Sequence, residues 1–166
     1  MVSEEHKKLT SMGCKYLKSH NFGVVIEELY CSGSRERTDV FGLRSTCSVV
    51  IEVKVSRNDF LADAKKPERQ SGGLGNYRFY LCPEGLLQPS DMPPKWGLLY
   101  AVGNKVVEIV KPSGNMWPPL VRDPQVERYA EDWRLFQHES DIWAERSALY
   151  SFARKAKVKR PTQTAC

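Results

Sequence analysis

The chain has 166 residues, 41% hydrophobic and 27% charged, enough for a domain whose core needs neither disulfides nor a structural metal. Lys and Arg number 25 against 20 Asp and Glu, a net charge of +5 with a pI near 9.0; this suits a nucleic-acid partner without establishing one. Cysteines at 14, 31, 47, 82 and 166 form no C-x-x-C pair, which argues against a disulfide framework or a zinc ribbon and fits a reducing, cytoplasmic setting.

The polar start from Ser3 to Lys8 is followed by no apolar run, and no stretch approaches the roughly 20 apolar residues that span a bilayer, so no signal peptide or membrane span is expected. Residues 3–20 read as a helix, capped by Ser3, with Leu9, Met12, Gly13, Tyr16 and Leu17 near helical spacing. His20, Asn21 and Gly23 end it. Residues 24–31 are a β-rich run. Ser32, Gly33 and Ser34 turn the chain ahead of Arg35 and Arg37, and Thr38 to Leu43 is a second strand.

Residues 48–56, Ser-Val-Val-Ile-Glu-Val-Lys-Val-Ser, carry the strongest strand signal. They are apolar on both faces, as in a covered central strand, yet Glu52 and Lys54 sit among the valines. Charges there are costly to bury unless paired, neutralised or bound to an ion. A helix from 58 or 59 to Gln70 follows, with Phe60, Leu61 and Ala64 as its apolar stripe and Pro67 interrupting it. Tyr77 to Cys82 is a strand. Residues 83–95 form a proline-rich loop with room for one helical turn. Trp96 to Val102 and Lys105 to Val110 make a hairpin around Gly103-Asn104. A connector over 112–124 precedes a helical pattern from Gln125 to about Lys157, whose Trp133, Phe136, Trp143, Leu149 and Phe152 are available for packing, and a basic tail ends the chain. The order α-β-β-β-α-β-β-β-α predicts an α/β fold, a mixed sheet flanked by helices.

Side chains alternate along a strand, so Glu52 and Lys54 project from one face, with Ser56 after them. If the strand of Asp39 pairs with theirs, the carboxylates of Asp39 and Glu52 meet. Two carboxylates and the backbone carbonyl of Val53 are hard oxygen donors suited to Mg²⁺ or Mn²⁺. Such an ion polarises a phosphate and activates water, and Lys54 is placed to hold that water or offset developing charge. The bland readings are an exposed ion pair for Glu52 and Lys54, and an Asp39 paired with Arg35 or Arg37. Arg35, Arg37, Ser56, Arg57, Lys65, Lys66, Arg69 and Gln70 are candidate nucleic-acid contacts; a solvated helix face balanced by Asp59, Asp63 and Glu68 is the competing account. Trp117, Trp133 and Trp143 could stack on bases, but tryptophans more often pack a helix onto a sheet. No H-E-x-x-H spacing supports zinc hydrolysis, and no phosphate loop is present.

The set Thr38-Asp39, Glu52-Val53-Lys54 resembles the PD-(D/E)XK nuclease superfamily, with Thr38 at its variable first position. Residues 28–87 resemble the MmcB-like DNA-repair proteins through Arg37-Thr38-Asp39-Val40, Ile51 to Ser56 and Asn58 to Glu68. The resemblance implies a restriction-endonuclease-like sheet over residues 1–121 with a C-terminal helical extension, 122–166, packed on it. It makes Asp39 and Glu52 metal ligands and Lys54 the catalytic lysine. Relatives also place a glutamate from the first helix beside the metal, which makes Glu5 a further candidate; the alternative is that Glu4 and Glu5 merely face the helix dipole. The implied activity is Mg²⁺-dependent hydrolysis of DNA, endonucleolytic before exonucleolytic, in repair, recombination or phage DNA processing. RNA stays open as a substrate, and a homodimer is a mode of action that the resemblance admits. The alternative is a nuclease fold that binds nucleic acid or a protein without cutting.

Overall fold

The computed structural model describes residues 2–30, 36–70, 72–112 and 133–155, with the backbone alone for Gln70. Helix α1, Glu4–Ser19, starts where the Ser3 side chain accepts a hydrogen bond from the His6 N–H at 3.1 Å and ends before Asn21, whose φ of 61° no helix continues. Then come β1 (Val24–Leu29), β2 (Thr38–Leu43) and β3 (Ser48–Val53). Helices α2 (Arg57–Asp63) and α3 (Pro67–Gln70) lead to β4 (Tyr77–Pro83). A 3₁₀ turn at Pro89–Asp91 precedes β5 (Trp96–Val102) and β6 (Lys105–Val110). Residues 133–136 are helical, and α4 spans Ile142–Lys155.

The strands form one six-stranded sheet in chain order. β3, β4 and β5 run parallel, and β1–β2, β2–β3 and β5–β6 are antiparallel. The protein is therefore an α/β fold, a mixed sheet flanked by helices with a C-terminal helical part. The expected boundary at 121/122 lies outside the described residues. No helix among the described residues is long and apolar enough to cross a membrane.

β3 is buried at every position, as its two-sided apolar sequence predicts. Val49, Ile51 and Val53 pack with Val40, Leu81 and helix α1. The helix approaches closely because Gly42 has no side chain; a Cβ there would meet Leu17 Cδ1 at 2.7 Å. On the other face Val50 packs with Phe41, Leu74 and the α4 alanines Ala144 and Ala148. Tyr80, Trp96 and Leu98 continue that side beside Phe60 of α2.

Two expected helices are broken. The helix expected through residue 70 stops at Asp63 and restarts at Pro67, because proline offers no N–H and pushes its predecessor out of helical geometry. The helix expected over 125–157 is interrupted at 137–141 among its described residues. There Asp141 accepts hydrogen bonds from the Trp143 and Ala144 N–H groups at 2.9 and 3.0 Å and starts α4 afresh.

Candidate active site

The β2–β3 ladder runs as far as Val40 opposite Ile51. Beyond that pair the N–H of Val53 bonds to the Asp39 carboxylate at 2.8 Å, so a side chain takes a backbone donor that a continued ladder would have used. Asp39 and Glu52 thus stand at the end of a pairing that has just opened. Across the sheet, the Lys54 N–H bonds to the Leu81 carbonyl at 2.9 Å, which extends the parallel ladder past β3. Glu52 and Lys54 project to one side, as alternation requires. Their charged ends lie 3.6 Å apart, and their side chains are only 3% and 8% exposed. An exposed ion pair is therefore excluded.

The remaining partners come from the broken helix. Asp63 and Arg69 are six residues apart; on one continuous helix that spacing turns about 240° and separates them. The break between α2 and α3 brings Arg69 Nε to 2.8 Å from Asp63 Oδ2. Arg69 also bonds Glu36 and lies 3.0 Å from Glu52 Oε1. Lys54 lies 3.4 Å and Lys66 2.7 Å from Asp63 Oδ1, and the Tyr80 hydroxyl donates to Asp63 Oδ2 at 3.0 Å. From α1, His6 Nε2 stands 3.3 Å from Asp39 Oδ1.

Burial, the largest influence on Glu52, raises its pKa to about 8 against the pull of Arg69 and Lys54, and Asp39 adds to the rise. Burial opposes ionisation of Asp63 too, but Arg69, Lys54 and Lys66 outweigh it and hold that carboxyl below the usual carboxylate range. Burial likewise opposes the charge on Arg69, which Glu52, Asp63 and Glu36 restore and strengthen. Two neighbouring acids are thus pushed in opposite directions, the pattern by which one site holds both an ionised and a protonated carboxyl.

The sequence-predicted residues divide cleanly. Glu52 and Lys54 meet at 3.6 Å, and Asp39 is near enough to Glu52 to add to the rise of its pKa. α1 brings His6 to Asp39, while Glu5 is exposed. Asp39 pairs with His6 and Val53, and Arg37 pairs with Glu28 at 3.5 Å. Arg69, a candidate phosphate contact, points inward with a 3% exposed side chain. Lys66 grips Asp63, Arg57 forms a two-pronged pair with Asp91 at 2.8 and 2.9 Å, and Ser56 caps α2 through the Asp59 N–H. Lys65 is exposed. Arg35, Trp117 and the side chain of Gln70 lie outside the described residues.

The donor set suits a hard cation. Asp39 and Glu52 are carboxylates, the hard oxygen donors such an ion takes, and the buried Glu52 Oε1 accepts no hydrogen bond from the described residues. No cluster of three or more His, Cys, Asp or Glu side chains suited to a metal occurs among the described residues.

No protein-family profile and no curated protein matches the chain. Among solved structures it is similar to a protein of unknown function from Silicibacter pomeroyi, with a TM-score of 0.57 and 24% identity over 100% of this chain and 98% of the other. That likeness speaks for the fold alone.

Proposed function

We propose that the protein is a metal-dependent nuclease that hydrolyses phosphodiester bonds of DNA in the cytoplasm, with Asp39 and Glu52 as ligands and Lys54 as the catalytic amine. The observation that carries this reading is the opened end of the β2–β3 pairing, where Asp39 holds the Val53 N–H at 2.8 Å beside a buried Glu52–Lys54 pair. Mg²⁺ held by Asp39, Glu52 and the Val53 carbonyl would supply Lewis acidity and an activated water. Lys54, steadied between Glu52 and Asp63, would offset negative charge as it develops on the phosphate oxygens. Asp63 and Tyr80 position Lys54 and Arg69 rather than touch substrate. Arg69 keeps Glu52 and Asp63 oriented toward the site and lowers the cost of burying them.

The test is incubation of the purified protein with single-stranded, duplex and branched DNA, with Mg²⁺ and with chelator. Metal-dependent cleavage that falls at least a hundredfold in both Lys54→Ala and Lys54→Met, with unchanged circular dichroism, is the expected result. Equal inactivity of wild type and both variants on every substrate would remove the enzyme reading.

One observation favours a binding-only protein: Arg69 already engages Glu36, Glu52 and Asp63, so the cluster neutralises itself without a metal ion. Calorimetry with Mn²⁺ separates the two. A site that Asp39→Ala abolishes supports the nuclease, and a silent titration supports the alternative.

A further inference from the structure

The helical pattern at the C-terminus promises a packed helix, but α4 buries little of its apolar surface. Ala144 and Ala148 face the sheet, and Glu145 turns inward to accept hydrogen bonds from the Ser48 hydroxyl at 2.6 Å and the Gly75 N–H at 3.1 Å. The outer face is different in kind. Trp143 is 75% and Tyr150 63% exposed. These rings are seven residues apart, two turns along one side of the helix. Arg146 stands over the Trp143 ring, 5.0 Å from its centroid, and Arg154 over Tyr150 at 5.8 Å. The alternation is therefore ring, cation, ring, cation. Lys155 is also exposed, and the one carboxylate within α4 is the inward Glu145. The sequence beyond adds Lys157, Lys159 and Arg160.

We infer that this outer face of α4 binds single-stranded nucleic acid, with bases stacking on Trp143 and Tyr150 and phosphates meeting Arg146 and Arg154. Charge complementarity selects the occupant. A face with cations beside its aromatic rings, whose one exposed carboxylate nearby is the capping Asp141, already engaged with the Trp143 N–H, suits a polyanion bearing flat bases better than it suits another copy of a basic chain. A single strand presents open base faces to such rings, whereas a duplex hides them. Position agrees. Ser48, Val50 and Glu52 share one face of the sheet, and Glu145 is anchored at Ser48, four residues or ~13 Å along β3 from Glu52. A strand lying on α4 is thus on the same side of the sheet as the acid cluster. The inference deepens the nuclease reading by naming its substrate class, yet it concerns binding and does not require cleavage.

The experiment measures fluorescence anisotropy of a labelled oligothymidine with the full chain in chelator at low salt, where no cleavage can occur. Wild type is expected to bind more tightly to the single strand than to a duplex of equal length, with quenching of tryptophan emission. Trp143→Ala and Tyr150→Ala each weaken binding about tenfold or more, and Trp143→Phe restores most of it. These substitutions change exposed side chains, so circular dichroism and the unfolding midpoint stay unchanged. Equal affinity for duplex and single strand that is indifferent to Trp143→Ala overturns the inference. So does a dimer in sedimentation that Trp143→Ala dissociates while oligothymidine fails to bind, which would assign the face to a second copy of the chain. Failure of the nuclease reading is a separate event, seen only when Mg²⁺ is supplied.

Discussion

Asp63 shows how much one residue holds in place. Its side chain is 1% exposed and contacts Lys54, Lys66, Arg69 and Tyr80. Removing its charge leaves a buried guanidinium and an ammonium group short of a partner, a loss of about 3–5 kcal/mol for a buried pair broken on one side. Asp63→Asn should lose that much stability at pH 7 in urea denaturation. The sign with pH follows from the folded pKa lying below the unfolded value of 3.8. The contribution is whole above the unfolded value and disappears as pH falls through the folded one. The gap between wild type and variant should therefore close only in strong acid; a gap constant from pH 7 to pH 2 would contradict this role.

Glu52, one residue before Val53, has the opposite bias. Burial keeps its proton up to about pH 8, so a divalent cation must displace that proton at neutral pH. Apparent Mn²⁺ affinity should fall about tenfold for each pH unit below about 8 and level off above it, because the liganding form is the ionised one. Titration in buffers of different ionisation enthalpy should find nearly one proton released at pH 6.5 and almost none at pH 9. A pH-independent affinity without proton release would rule out Glu52 as a ligand.

At the scale of elements, the strands were easier to read than the site. Continuous apolar runs mark the central strands β3 to β5, whose successive residues are buried on both faces, and Gly103-Asn104 marks the hairpin. The same apolar run exposes Glu52 and Lys54 as a pair out of place. Glu36, Asp63 and Arg69 escape this reading. Their meeting depends on a break in the helix at Ala64–Lys66 and on a residue just ahead of β2, so no single periodicity contains them. Pro67 is the available signal: a stop there breaks the helical phase between Asp63 and Arg69. His6 also leaves a trace, since His6, Thr10, Gly13 and Leu17 lie three or four residues apart along the side of α1 that meets the sheet. The outward Trp143 leaves none. An apolar helical pattern indicates which residues can be buried, and the sheet had room for only the alanine side of α4.

Across the whole molecule the fold is held unevenly. β3 is buried at all six positions and pairs on both edges, with α1 closing one face through Leu9, Leu17 and Tyr16. α4 is tied differently. It rests on Ala144 and Ala148, on Glu145 with Ser48 and Gly75, and on the 2.8 Å bond from the Asp141 N–H to the Gly73 carbonyl. Two alanine methyls bury little apolar surface, so most of that attachment is polar and open to competition from water. α4 should therefore leave the sheet without unfolding it, a local opening that is lower in free energy than the global one. Native-state hydrogen exchange at low denaturant should show the amides of 146–155 exchanging through that smaller opening, while those of β3 and β4 exchange only on global unfolding. Oligothymidine should raise protection in α4 first, because a strand bound to its outer face also restrains it. If the α4 amides instead share the opening free energy of β3, the helix is an integral wall of the core and not a loosely tethered binding arm.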